Sequence, residues 1–311
     1  MTNSIGALIS GASLGYHITL PQSQGGGVMS GNWSNNNDVL PFYPDAQPGL
    51  VGGRCLNQFE YMHMVDEAKL AMATEKWEKI VTSRCFEVNP KHIACEQYAQ
   101  ALRKRFPETY LVVFNHPIWG RWIAASPELL LKRKGSNIET MALAGTLSSQ
   151  NRQEWSEKEV AEHKVVRDMI VTTLKQNGVE DVQYSSMNEL SYKTVRHLQT
   201  LISGQYDGDY FNLVRQLSPT PALAGMPVNQ TMNWLRRNEG YHRGLYGGVI
   251  QVENEKEAYA IVLLRCVHWS NTKALGFVGG GIMPTSHAEL EWNETVMKQN
   301  AFIFDPNENI Q

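Results

Sequence analysis

The stretch "TYLVVFNHPIWGRWIAASPELLLKRKGSNIETMALA", residues 109–144, holds four apolar runs with turn residues between them. The runs are 109–116, 121–126, 128–134 and 138–144, punctuated by Pro127, Gly135 and Gly145. Each is short, carries an apolar stretch and is bounded by turn residues, so each reads as a strand. Four strands in succession, with no helix between them, point to antiparallel pairing.

Upstream, "EYMHMVDEAKLAMATEKW" (60–77) has helical spacing, "KIVTSRCFEV" (79–88) alternates as a strand, and a helix is expected through "HIACEQYAQALRKRF" (92–106). Residues 22–38 are rich in Gly, Ser and Asn and read as a long loop after one N-terminal strand. Downstream, an amphipathic helix starts at a capping box, Ser156 with Glu159, and runs to Gly178. Strands follow near "VQYSS" and "YKTVRHLQTLISG", then two short helices around "PTPALAGMP". Next come strands "GLYGGVIQVE", "AYAIVLLRCVHW" and "ALGFVGGGI", and a terminal helix in "TSHAELEWNETVMK" (285–298), begun by a second capping box, Ser286 with Glu289. Strands in blocks with helices between them predict an α+β fold with antiparallel sheets flanked by helices. No short linker divides the chain. One domain is expected, with an N-terminal strand and loop (1–57), a core (58–303) and a tail (304–311).

Composition narrows the function. At 42% hydrophobic and 19% charged over 311 residues, the chain suits a soluble globular protein with a large core. Its formal charge of −3 and the lack of dense basic runs beyond "LRKR" (102–105) and "LKRK" (131–134) argue against a nucleic-acid partner. Cys55, Cys85, Cys95 and Cys266 have no CxxC or Cys/His spacing, so neither zinc nor a disulfide framework is implied and reduced thiols are expected. "IGALISGASLG" near the start lacks a basic flank and is too short to span a bilayer, and no longer apolar run exists. A cytoplasmic protein with no membrane partner is expected.

Four places can carry chemistry. In the terminal helix Glu291, Glu294 and Lys298 share a face, at i, i+3 and i+7. That face is either solvated, with a Glu294–Lys298 pair, or a seat for a hard cation that Glu162 of "VAEHKVVRD" completes, since carboxylates and water are what magnesium prefers. Three glycines, Gly279 to Gly281, follow a strand; they form either a tight turn or a cradle in which backbone N–H groups approach an anion. Arg265 sits in an otherwise apolar strand and needs a carboxylate partner. Lys79 enters a strand, as an exposed edge lysine or as a buried base.

Read in order, "EKIVTSR", "ASPELLL", "LAGT", "AEHKVV", "RHLQT", "SPTPALAG", "RGLYGGVI", "LLRC" and "GGGIMPTSHAELEWNETVMK" resemble the motif series of chorismate-utilising enzymes. The resemblance implies that family's fold, with a buried site in residues 58–303. It implies Lys79 as the general base that activates water and Glu128, 49 residues on, as the general acid. It implies Mg²⁺ held by Glu162 and Glu294, with Glu291 direct or through water. It implies substrate carboxylates bound by Arg265, Tyr246, Lys298 and the backbone of Gly279 and Gly281, with Gly145 and Thr146 against the ring and Ala222 and Leu223 lining it.

Within the family, "SPTPALAG" (218–225) stands where aminating members carry an SGAPK-type motif, so isochorismate synthase is favoured, with menaquinone as the expected fate of its product. Salicylate synthase is the alternative, and a non-catalytic chorismate-binding protein the alternative from another class. Ser218, Gly280 and Gln251 depart from the family pattern without removing a proposed catalytic group. Only 78 residues precede Lys79, so a shortened N-terminal part is expected, and the simplest oligomeric expectation is a monomer.

Overall fold

In the computed structural model, the structure describes residues 14–33, 38–88, 94–149, 153–191, 195–270, 273–300 and 302. The expected tail, 304–311, lies outside them. Two large sheets carry the fold, and all their pairings are antiparallel. The first runs, in spatial order, Gly225–Met226, Lys79–Val88, Ala274–Ile282, Cys266–Trp269, Gly120–Ser126, Tyr110–His116, Gly15–Thr19 and Val28–Gly31. The second runs Glu180–Tyr184, Val195–Gln205, Asn137–Ser148, Leu129–Lys134, Glu257–Val262, Val249–Glu253 and Val39–Leu40, with Asn188–Ser191 also paired to Val195–Gln205. The sheets face each other across an apolar cluster that includes Val112, Trp122, Leu143, Ile261 and Phe277.

Among the described residues, six α-helices cover the sheets: α1 (Gln58–Glu75), α2 (Cys95–Arg105), α3 (Glu157–Gln176), α4 (Tyr210–Leu217), α5 (Val228–Asn238) and α6 (Ala288–Asn300). The α+β reading is borne out. Helix α1 is entered through a reciprocal cap, in which Asn57 Oδ1 accepts from Glu60 N and Glu60 Oε2 accepts from Asn57 N, both at 3.0 Å. Asn57→Ala is expected to cost about 1 kcal/mol of stability, read as a lowered urea midpoint with an unchanged slope. The box expected for α3 is present, with Glu159 Oε2 accepting from Ser156 N. Among the described residues, no helix is long and apolar enough to cross a membrane.

Several expectations are corrected. The four runs of the opening stretch do not form one sheet. The first two belong to the first sheet and the last two to the second, with Pro127 and Glu128 at the corner between them. Residues 258–269, read as one strand, likewise break at Leu263–Arg265, so Arg265 is a corner residue in the left-handed region (φ +46°) rather than a strand residue. Strands that pass from one packed sheet to another turn at such bends. The two corners lie side by side, since Ala125 N donates to Arg265 O (3.1 Å) and Val262 N to Glu128 O (3.2 Å). The Gly/Asn-rich segment is not all loop, because Val28–Gly31 pairs with Gly15–Thr19. Finally, Ser286 Oγ accepts from Met283 N, upstream of α6, and closes the turn before the helix.

Candidate active site

The two sheet corners, the Gly279–Gly281 end of its strand, α3 and α6 surround one cavity. Every residue singled out in the sequence borders it except Lys79 and Glu291. Lys79 lies just behind the wall, only 1% exposed, on a strand paired on both sides. The strand-edge alternative for this lysine is therefore excluded. Its Nζ meets Glu162 Oε1 of α3 at 2.8 Å. Gly281 is required beside this pair, because a side chain there would bring its Cβ within 2.9 Å of Lys79 Cε and run into Glu162 Oε1. Glu291 faces a neighbouring hollow shared with Lys158, Ser156 and His287.

Glu128 is buried at its corner, where Ser126 Oγ accepts from its N–H at 3.2 Å. Burial pushes its carboxyl up to about 8, against the opposing pull of Lys79. It is therefore an acid that keeps its proton at neutral pH, within electrostatic reach of the lysine.

Opposite lies a residue to which the sequence reading gave no role, His197, although "RHLQT" was among the quoted motifs. It stands across the ladder from Thr146, where Val195–Gln205 and Asn137–Ser148 slip by one residue, His197 opposing Thr146 and Leu198 opposing Ala144. The residue left over is Gly145, a β-bulge at φ +78°. The His197 ring fits one neutral tautomer: Nδ1–H donates to Gly145 O (3.2 Å) and Nε2 accepts from Arg265 Nη2 (3.1 Å). Burial, then the Arg265 and Lys298 cations, hold its pKa well below the ordinary histidine value. The visible signal was a histidine in an otherwise half-apolar strand facing "AGT". Tyr246 completes this wall, stacked on Phe277 at 5.4 Å, and burial keeps its phenol protonated as a donor.

Each carboxylate assigned to a metal meets one lysine: Glu162 with Lys79 (2.8 Å), Glu291 with Lys158 (2.7 Å) and Glu294 with Lys298 (2.7 Å). The i,i+4 pair of α6 thus forms, but at the cavity rather than on a solvated face, and Lys298 Nζ also donates to Gly279 O (2.7 Å). Burial alone would raise the Glu162 carboxyl, but Lys79, with Lys158 and Lys298 behind it, holds it below the usual carboxylate range. Burial and the adjacent Glu294 push Glu291 upward against Lys158.

Among the described residues, no three acidic, histidine or cysteine side chains converge into an ion-holding group as they stand. The donor set still suits magnesium in kind. Glu291 Oε2 is buried without a hydrogen-bond partner among the described residues. It and Glu294 Oε1 would each lie 3.5 Å from a Cβ on Gly280, so the missing side chain leaves a cradle bounded by two carboxylate oxygens.

A neutral buried carboxylic acid, a lysine within its electrostatic reach, cations on one wall and carboxylates under a glycine floor define a site for acid–base chemistry on a small anionic molecule. Residues 47–304 match the family of chorismate binding enzymes, and the chain belongs to that family. It is 29% identical over 262 residues to the isochorismate synthase EntC of Escherichia coli (strain K12), covering 79% of this chain and 66% of that protein. It is 25% identical over 280 residues to the isochorismate synthase MenF of Bacillus subtilis (strain 168), covering 85% of this chain and 59% of that protein. In fold it is similar to MenF, the menaquinone-specific isochorismate synthase from Escherichia coli, with a TM-score of 0.69 at 22% identity over 84% of this chain and 64% of that one. The chain thus spans about two thirds or less of these relatives' length.

Proposed function

We propose that the protein is an isochorismate synthase, interconverting chorismate and isochorismate. The observation that carries the reading is Glu128, a buried carboxyl raised to about 8 within electrostatic reach of Lys79, because the reaction needs one group that gives a proton and one that takes it. Water adds at C2 as Lys79 takes its proton, the ring double bonds shift, and Glu128 gives its proton to the departing C4 hydroxyl, which leaves as water. Arg265, Lys298 and the Tyr246 phenol hold the substrate's carboxylates. His197 orients Arg265 from behind through its Nε2.

Glu162, Glu294 and Glu291 would hold Mg²⁺, which supplies charge compensation for the ring carboxylate. Glu162 pairs with Lys79 at 2.8 Å, so one of the carboxylates that would hold the metal also positions the base. Chorismate is the proposed partner, the proposed state a monomer and the proposed location cytoplasmic. Similarity to both EntC and MenF supports a reading at isochorismate itself rather than at one of its later fates.

The test is incubation of the chain with chorismate and Mg²⁺, with and without EDTA, followed by separation of the products. An equilibrating mixture of chorismate and isochorismate that EDTA abolishes is expected. Salicylate with pyruvate would move the assignment to salicylate synthase, and binding without turnover would leave a chorismate-binding protein.

A further inference from the structure

Outside the site, two of the four cysteines meet. Cys55 Sγ and Cys85 Sγ lie 3.0 Å apart, and both are free thiols. Cys85 sits in the strand Lys79–Val88, opposite Phe277 in the ladder, and is fully buried. Cys55 is half-buried in the irregular segment between Gly53 and the cap of α1 at Asn57. One sulfur is therefore fixed by a sheet, while the other lies in irregular backbone and is partly exposed. Burial, then the neighbouring Cys55, raises the Cys85 thiol, and burial raises those of Cys95 and Cys266, so Cys55 is the sulfur open to a small oxidant.

We propose that Cys55 and Cys85 are an oxidation site, closed to a disulfide by peroxide. The Cys55 thiolate attacks one peroxide oxygen; the S–O bond forms, the O–O bond breaks and hydroxide leaves, giving a sulfenic acid. Cys85 then attacks the Cys55 sulfur; the S–S bond forms, the S–O bond breaks, and the thiol proton departs with the oxygen as water. Two thiols and one hydrogen peroxide thus give one disulfide and two waters. The sulfurs must close by about 1 Å to reach bonding distance, and of the two Cys55 is the one outside a strand ladder. The link would join the entry of α1 to the strand that begins at Lys79.

The purified chain treated with hydrogen peroxide is analysed by intact mass, thiol titration and peptide mapping. Loss of two hydrogens, consumption of two of the four thiols, a peptide linking Cys55 to Cys85 and full reversal by dithiothreitol are expected. Cys85→Ser should instead leave a sulfenic acid on Cys55 that dimedone traps, and Cys55→Ser should show no link. Sulfinic acid on Cys55 in the unaltered chain, dimers joined through Cys55, or four thiols surviving peroxide would each overturn the proposal. None of these readouts depends on chorismate turnover.

Discussion

Glu128→Gln is expected to lower kcat for chorismate conversion by about 10²–10⁴-fold, the usual worth of one general acid, with little change in KM. Glutamine keeps the size and the hydrogen bonding of the protonated carboxyl but has no acidic proton to give. The pH profile provides the sharper check. Glu128 works as an acid only while protonated, and burial holds its carboxyl at about 8. In the unaltered chain kcat/KM should therefore fall as the pH rises through about 8, and the residual activity of Glu128→Gln should lack that limb. Stability carries the same signature. The unfolded carboxyl titrates near 4.5 and the folded one near 8, so between these values the native state holds the extra proton. Stability attached to this group is complete below the unfolded value and is lost as the pH rises through the folded one. Urea midpoints measured across that window should decline more steeply for the unaltered chain than for Glu128→Gln. Parallel declines would mean that the carboxyl titrates normally and that the assigned acid is wrong.

What the sequence disclosed follows from how far each signal reaches along the chain. Helices α1, α3 and α6 and the strand 79–88 were legible because periodicity and caps are local. Arg265 was legible as a residue that needs a partner, but its setting was misread. An apolar run gives no sign that it bends out of one sheet into another, and the bend is fixed by packing against the neighbouring corner at Glu128. The i,i+4 spacing offered the Glu294–Lys298 pair, but nothing in the motif series revealed that Lys79 and Lys158 would sit against Glu162 and Glu291. Lys158 meets Glu291 across 133 residues of sequence, and no spacing rule reaches that far. His197 went unassigned for a related reason. Its role depends on a one-residue slip of register that turns Gly145 and Thr146 toward it, and the slip appears only once both strands are paired.

Lys79→Met is expected to have two separable effects. It removes the base, and kcat should fall by about 10²–10⁴-fold. It also leaves the Glu162 carboxylate, whose side chain is 10% exposed, without its closest cation, and breaking a buried ion pair on one side costs about 3–5 kcal/mol. A simple loss of activity would therefore be ambiguous, because an unstable protein also loses activity. The double variant Lys79→Met/Glu162→Gln separates the two, since no charge is then stranded beside Gly281. Most of the lost stability should return, read from urea midpoints, while turnover stays at the level of Lys79→Met. Glu162→Gln alone supplies the control: the lysine stays, its counter-ion is removed, and the stability cost should be of the same kind as for Lys79→Met. If Lys79→Met kept the unaltered turnover under conditions where it stays folded, Lys79 would be only the structural partner of Glu162, and the base would have to be sought on the cavity wall.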